Sequence, residues 1–156
     1  MKTGYSCTTE GAVALVGATV KTIIGVKANA AFGMDWIGYA IGFDGVTASD
    51  KAVLVELCYA TWATNSPGTN STTTTIRTNY GRAVASGMTA GKTWTAEPTV
   101  LTVFREFLLT PIGGLVVANF PRDRTPDSAF AEGFVIRCTA PTNAVNVRAS
   151  MDFEKA

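Results

Sequence analysis

A chain of 156 residues is long enough for one domain with a real hydrophobic core and too short for two comparable domains. Only 16% of the residues are charged and the net charge is +1, so the basic face of a nucleic-acid-binding protein is not expected. Histidine is absent, which removes the commonest general base and the commonest metal ligand.

The N-terminal residues 1–10 show no clear strand pattern, and we interpret them as an arm that becomes ordered on a partner. The apolar run AVALVGA that follows spans only residues 12–18 and is preceded by Glu10, which matches a signal peptide poorly. No window approaches 18 consecutive apolar residues, so no transmembrane helix or membrane partner is expected. Synthesis in a reducing cytoplasm is the default expectation.

Strands are predicted wherever apolar residues recur with a period of two. The first such segment is 20–26. In the next, residues 37–43, bulky side chains alternate with Gly38, Ala40 and Gly42, so one face of that strand has almost no side-chain bulk. Such a face allows another backbone or sheet to approach closely. Residues 53–57 continue the pattern after a turn-like Asp-Gly pair.

The second half of the chain predicts further strands. Residues 100–109 and 115–120 are apolar on both faces, and the turn sequence PIGG lies between them. Residues 134–138 and a strictly alternating segment from 145 to 154 complete the set. Short strands with this spacing of turns predict an all-β fold, a single-domain antiparallel β-sandwich over residues 11–156. We expect a jelly roll of about eight strands.

The stretch SGMTAGKT, residues 86–93, differs from the phosphate-binding signature GxxxxGK[ST] at its first position. A phosphate loop needs a buried strand before it and a helix after it. The residues that follow, TWTAEP, contain β-formers and a proline, so no helix is expected there. We therefore interpret the stretch as a flexible turn that leads into a β segment.

Catalytic groups are sparse. Cys7, Cys58 and Cys138 are far apart, and we predict that Cys58 and Cys138 are buried free thiols. Glu56, the one acid inside an apolar run, is interpreted either as an outward-facing strand residue or as a paired carboxylate at an interface. With no histidine, no GxSxG and no metal-ligand spacing, we predict a protein that is not an enzyme and needs no cofactor or metal.

Three further features have both a structural and a binding interpretation. The tryptophans, Trp36, Trp62 and Trp94, suit either core packing or stacking on sugars. The uncharged segment 62–75, WATNSPGTNSTTTT, is either an exposed loop or a contact tip. PRDRTPDSAF, which contains Arg122 and Arg124, is either a solvated loop or a docking loop for a charged partner.

Several stretches together resemble a known class of protein: FDGVTASDKAVLVELCYATWATNS, TAEPTVLTVFREF with PIGG, and NVRASMDFE. They are similar, over roughly residues 19–154, to small virion structural proteins of tailed bacteriophages. Such proteins are taken to be capsid decoration, or cement, proteins, which bind the outer shell after expansion, commonly as trimers on β-sandwich folds. The resemblance implies a structural role on the capsid surface, after synthesis in the host cytoplasm. It marks scaffold positions and carries no individual functional residue.

The residues themselves also favour a protein that buries surface against copies of itself, because obligate oligomer interfaces are large and apolar. The expected partners are a homo-oligomer, with a trimer preferred, and the major capsid protein. The alternative is a phage-borne carbohydrate-binding or host-adhesion module on the same fold. The candidate capsid or subunit contacts are Tyr5, Gly38, Ala40, Gly42, Phe104, Phe107, Val116, Arg122 and Arg124.

Overall fold

A computed structural model describes residues 4–46, 51–82 and 84–156 of the chain. These residues form twelve β-strands and one 3-10 turn, Arg122–Arg124, and no α-helix. The strands are β1 Gly4–Thr8, β2 Val13–Ala14, β3 Val20–Lys27, β4 Met34–Phe43, β5 Val53–Thr64, β6 Thr72–Thr74, β7 Arg77–Thr78, β8 Thr89–Lys92, β9 Thr99–Leu109, β10 Leu115–Asn119, β11 Gly133–Thr139 and β12 Asn146–Lys155. The predicted all-β fold is confirmed.

The strands form two antiparallel sheets that pack face to face. The first sheet has the order β10-β4-β12-β1-β7, with β2 beside β12, and the second has the order β6-β8-β3-β11-β5-β9. The pairs β1–β12, β3–β11, β4–β10 and β5–β9 are nested along the chain, each inside the one before. This nesting of the eight longest strands is the connectivity of a jelly roll, so the predicted antiparallel sandwich is confirmed.

Alternation along β12 explains how one strand serves both the core and the surface. Val147, Met151 and Phe153 are buried between the sheets, whereas Arg148 is exposed and Ser150 half-buried on the outer face. Side chains of successive strand residues point to opposite faces, so the apolar set follows the core without any helical contribution. The faces predicted for residues 145–154 are confirmed.

An aromatic cluster fills the core near the side of the sandwich where β9 and β10 lie. Trp36 on β4 is fully buried, with ring centroids 5.3 Å from Phe134, 5.5 Å from Phe120 and 5.9 Å from Phe104. Its indole Nε1 donates a hydrogen bond of 2.9 Å to the carbonyl oxygen of Gly38. The ring therefore buries a large apolar area while its one polar atom stays paired.

The predicted N-terminal arm is wrong for residues 4–8, while residues 1–3 lie outside the described chain. Residues 4–8 form β1, which pairs with β12 on one side and β7 on the other. Tyr5 is 1% exposed and its ring stacks on Phe153 at 6.2 Å. The segment GYSCT does alternate, with Tyr5 and Cys7 turned inward, but two apolar positions are too short a pattern to recognise.

The 34 residues from 65 to 98 connect β5 to β9 and cover part of the outer face of the second sheet. Beneath them a second small core contains Cys58, Trp62, Trp94 and Val135, and the two indoles stack at 5.9 Å. SGMTAGKT lies in this connection: Gly87 takes a positive φ of 70°, and strand β8 follows. The predicted turn into a β segment is confirmed.

Candidate functional site

Strands β9 and β10 lie at the edges of the two sheets, on the same side of the sandwich. Phe107 on β9 stacks on Tyr39 of β4 at 6.3 Å, which places the β9 edge beside the first sheet. We call the surface formed by residues 99–117 the β9–β10 flank. It carries the largest concentration of exposed apolar side chains in the described residues.

Seven of the thirteen large hydrophobic residues exposed in the described chain belong to the β9–β10 flank. They are Val100, Val103, Phe104 and Leu108 on β9, Ile112 in the turn, and Leu115 and Val117 on β10. Leu108, Leu115 and Val117 are 69%, 67% and 72% exposed. Leu108 lies on the outer face of the second sheet, and Leu115 and Val117 lie on the outer face of the first. Single exposed apolar residues are ordinary on a soluble protein, but so many on two edge strands at one side of the sandwich are typical of an interaction surface.

A β-bulge interrupts β9 at its centre. Leu57 of β5 pairs with Arg105, and the next residue, Cys58, pairs with Val103, so Phe104 is an extra residue in the ladder. Phe104 and Arg105 both lie towards the sandwich interior, Phe104 against Trp36 and the Arg105 guanidinium 5.1 Å from the Phe120 ring centroid. Bulges and charged residues of this kind prevent an edge strand from acting as a template for another strand.

A groove of 390 Å³ lies on the outer face of the first sheet, next to β10. Ala40 and Gly42 on β4 form its floor, and Leu115, which pairs with Gly42, forms one wall. Arg148 on β12 lies on the other side of Gly42, and residues 8–11 close the far side. The groove exists because small residues occupy β4 while its neighbours on β10 carry large side chains.

The structure brings together some of the predicted interface residues and separates others. Ala40 and Gly42 line the groove, and the subunit contact predicted for this small-residue face stays a prediction. Gly38 is buried instead, since an added Cβ there would lie 2.2 Å from the Asn119 Oδ1 that covers it. Tyr5 lies in the core and offers no surface for a partner.

On the β9–β10 flank the sequence identified the strands correctly and the individual residues only in part. Phe104 is 41% exposed, whereas Phe107 and Val116 are half-buried against the core. Their neighbours Leu108 and Val117 carry the exposed surface, and the sequence reasoning did not single them out. Both faces of these strands are apolar, so the pattern alone could not tell which face the sandwich would cover.

Arg122 and Arg124 lie in the exposed 3-10 turn, apart from the flank. The Arg124 side chain makes a long contact of 3.9 Å with Asp123, and both side chains are about four-fifths exposed, at 81% and 79%. Such an ion pair contributes little to stability. Arg122 faces a pocket of 530 Å³ that also contains Asp35, Asp152 and Glu154. Burial raises the pKa of Asp35, and the carboxylates of Glu154 and Asp127 add to the rise.

The raised pKa of Asp35 predicts a pH-dependent effect of removing its charge. A carboxyl whose folded pKa lies above its unfolded value stabilises the fold at low pH and loses that contribution as pH rises through the folded pKa. Asp35→Asn should therefore raise the melting temperature relative to wild type at pH 7, with the difference shrinking towards pH 3. Differential scanning fluorimetry across this range measures it. Asp123→Asn, at a highly exposed carboxylate, is the control and should show no such trend.

The outer face of the second sheet carries one strong ion pair. Arg137 on β11 donates two hydrogen bonds to Glu56 on β5, Nε to Oε2 at 2.8 Å and Nη2 to Oε1 at 3.1 Å. Hydrogen bonding to Glu56 raises the pKa of Arg137. Glu56 therefore faces outward, one of its two predicted alternatives, and its partner is Arg137 of the same chain and not a residue across an interface. Glu106 on β9 lies opposite Glu56 in the β5–β9 ladder. Because Arg137 already pairs with Glu56, the Glu106 carboxylate lies beside a second carboxylate and has no cation of its own among the described residues.

The side chains considered for chemistry are buried. All three cysteines are free and buried, as predicted for Cys58 and Cys138, and burial raises the pKa of the Cys58 thiol to about 12. Trp36, Trp62 and Trp94 are at most 6% exposed, so none offers its ring to a sugar. Among the described residues no group of three acidic or cysteine side chains could hold a metal ion. No helix in that part of the chain is long and apolar enough to cross a membrane.

No protein-family model matches this chain, and no curated protein or solved structure is significantly similar to it.

Proposed function

We propose that this chain is a non-enzymatic structural protein of a phage virion that binds the outer capsid surface and stabilises it as a homo-oligomer, with a trimer preferred. The observation that carries the oligomeric part is the concentration of exposed apolar residues on the β9–β10 flank. The capsid part rests on the resemblance of the sequence to phage virion proteins.

Charge on the β9–β10 flank favours a second copy of the chain as its occupant. Residues 99–117 contain only two charged residues, Arg105 and Glu106, so the flank carries no net charge. A strongly basic or acidic partner would gain no electrostatic attraction there. A neutral, apolar surface is typical of the permanent contacts between identical subunits, which resemble a domain core cut in half. The burial of all three tryptophans gives the sugar-binding alternative no support.

Leu108→Asp should convert the oligomer to a monomer. Leu108 is highly exposed on β9, so the substitution leaves the sandwich core untouched while placing a charge in the middle of the proposed contact. Multi-angle light scattering at micromolar concentration measures the mass. Phe130→Asp is the matched control, because Phe130 is 64% exposed in the turn before β11 and is not part of residues 99–117, and this variant should remain oligomeric. A monomeric wild type would contradict the proposal.

The capsid part of the proposal has its own test. Purified protein added to undecorated, expanded capsids should co-sediment at a fixed stoichiometry and raise the temperature at which the shells disassemble. Unexpanded shells serve as the control and should bind less. A folded oligomer that binds neither kind of shell would remove the decoration role and leave the oligomeric state standing.

A further inference from the structure

We infer that the subunit contact is heterologous: the β9–β10 flank of one copy packs into the Ala40–Gly42 groove of the next copy, head to tail around a ring. This inference rests on the proposed homo-oligomeric function and specifies its geometry. Three features of the described residues support it, namely the interrupted β9 edge, the shape of the groove, and two opposite charges without partners.

The interrupted edge argues against the simplest symmetric contact, in which two β9 strands pair across a two-fold axis. Antiparallel pairing of this kind sets residues from the same face of the sheet opposite each other. A register that joins Val103 to Leu108 of the other copy satisfies the outer face. The same register sets Arg105, on the inner face, against Glu106, on the outer face, so the ladder breaks at its centre. A regular symmetric ladder is therefore limited to one side of the bulge, such as residues 105–109, and leaves Val100, Val103 and Phe104 uncovered.

The groove is the apolar concave surface that adjoins the flank. Leu115 belongs to both, because it is exposed on β10 and also walls the groove above Gly42. The floor at Ala40 and Gly42 leaves space for an incoming side chain, and Leu108 is an exposed knob of suitable size on β9. Leu108 lies on the outer face of the second sheet, whereas the groove lies on the outer face of the first sheet, so one copy cannot present both to the same partner across a two-fold axis.

Two charged side chains indicate how the two copies are oriented at this contact. The Arg148 side chain borders the groove and makes no hydrogen bond or ion pair with another side chain or backbone group of the described residues, and the same holds for the Glu106 side chain. Glu106 lies two residues from Leu108 on the same face of β9. A Leu108 side chain seated over Gly42 therefore brings Glu106 beside Arg148 of the neighbouring copy. An ion pair between Glu106 and Arg148 also offsets the repulsion between the carboxylates of Glu106 and Glu56, which lie opposite each other in the β5–β9 ladder.

Mixing two assembly-deficient variants tests the head-to-tail geometry. Leu108→Asp spoils the knob and keeps the groove, whereas Ala40→Phe fills the groove and keeps the knob. Each variant alone should be monomeric by native mass spectrometry. A mixture of the two, one of them isotope-labelled, should give heterodimers through the one intact contact and nothing larger. Thr72→Phe, on an exposed strand position outside the contact, is the control and should assemble as wild type does.

Charge reversal tests the pairing of the two surfaces. Glu106→Arg and Arg148→Glu should each weaken assembly roughly tenfold or more, since each sets like charges against each other at the contact. The double variant in one chain should recover most of that loss. Circular dichroism must show that every variant is folded. The inference is overturned if the mixed variants form no heterodimer at ten times the wild-type assembly concentration, or if the double variant shows no recovery. If the wild type is nevertheless oligomeric, only the head-to-tail geometry is rejected and the proposed function stands.

Discussion

Trp36→Ala should lower the free energy of unfolding by about 3–5 kcal/mol, the range found when a buried aromatic side chain is truncated in a packed core. Trp36 is fully buried among Phe104, Phe120 and Phe134, and its loss leaves a cavity that these rings, held by their own strands, can fill only in part. Urea denaturation followed by circular dichroism measures the change. Trp36→Phe keeps most of the ring volume and is the graded control, with a smaller loss.

The same substitution connects the core to the proposed interface. Phe104 contacts Trp36 from the β9–β10 flank, so a cavity at Trp36 removes the support that holds the flank in shape. Trp36→Ala should therefore weaken assembly as well as stability, although Trp36 itself has no exposed surface. A loss of less than about 1 kcal/mol, the size of an ordinary surface change or smaller, would contradict the packing described for this cluster.

Arg137→Met has the second large expected effect, a loss of about 3 kcal/mol in the free energy of unfolding. Removing the guanidinium leaves Glu56 with a buried charge and no partner, which typically costs about 3–5 kcal/mol. The lower end applies because the Arg137 side chain keeps 22% of its surface exposed and water reaches the pair. Urea denaturation at pH 7 measures the loss.

The double variant Glu56→Leu/Arg137→Met separates an unpaired charge from lost packing. Replacing a buried ion pair by apolar side chains of similar size is often neutral or stabilising. The double variant should therefore be more stable than Arg137→Met alone, although one more native side chain has been removed. Equal stability of the two variants would show that the cost came from lost contacts of the Arg137 side chain.

Much of the fold could be predicted because strand alternation is a local property. In β12 every apolar residue from Val147 to Phe153 faces the core, and the alternation of apolar and polar residues is visible in the sequence. β1 was missed, because Tyr5 and Cys7 offer only two inward positions and pair with β12, which lies about 145 residues further along the chain. No local signal reports a partner at that separation.

The candidate site, too, could be predicted from the sequence only in part. The strands of the flank could be predicted from their two-sided apolar character, and the low side-chain bulk at Ala40 and Gly42 from the residue types. The groove that these two residues line could not be predicted, because its walls come from other strands. The exposed residues could not, because Val116 and Val117 look alike in sequence and only the sheet they join decides which one turns outward. The burial of Trp62 and Trp94 could not be predicted from the sequence either, because it is the folding back of residues 65–98 that buries both side chains.

The sequence by itself determined an all-β chain, the placement of its long strands, and the burial of the Cys58 and Cys138 thiols. These follow from the order of apolar and polar residues over a few positions, where side-chain direction has a fixed period. Only the tertiary structure decided that β9 and β10 meet at one side of the sandwich, that a bulge interrupts β9, and that a groove adjoins it. Those features depend on contacts between segments far apart in the chain, where packing geometry, and not local pattern, decides which surfaces remain uncovered.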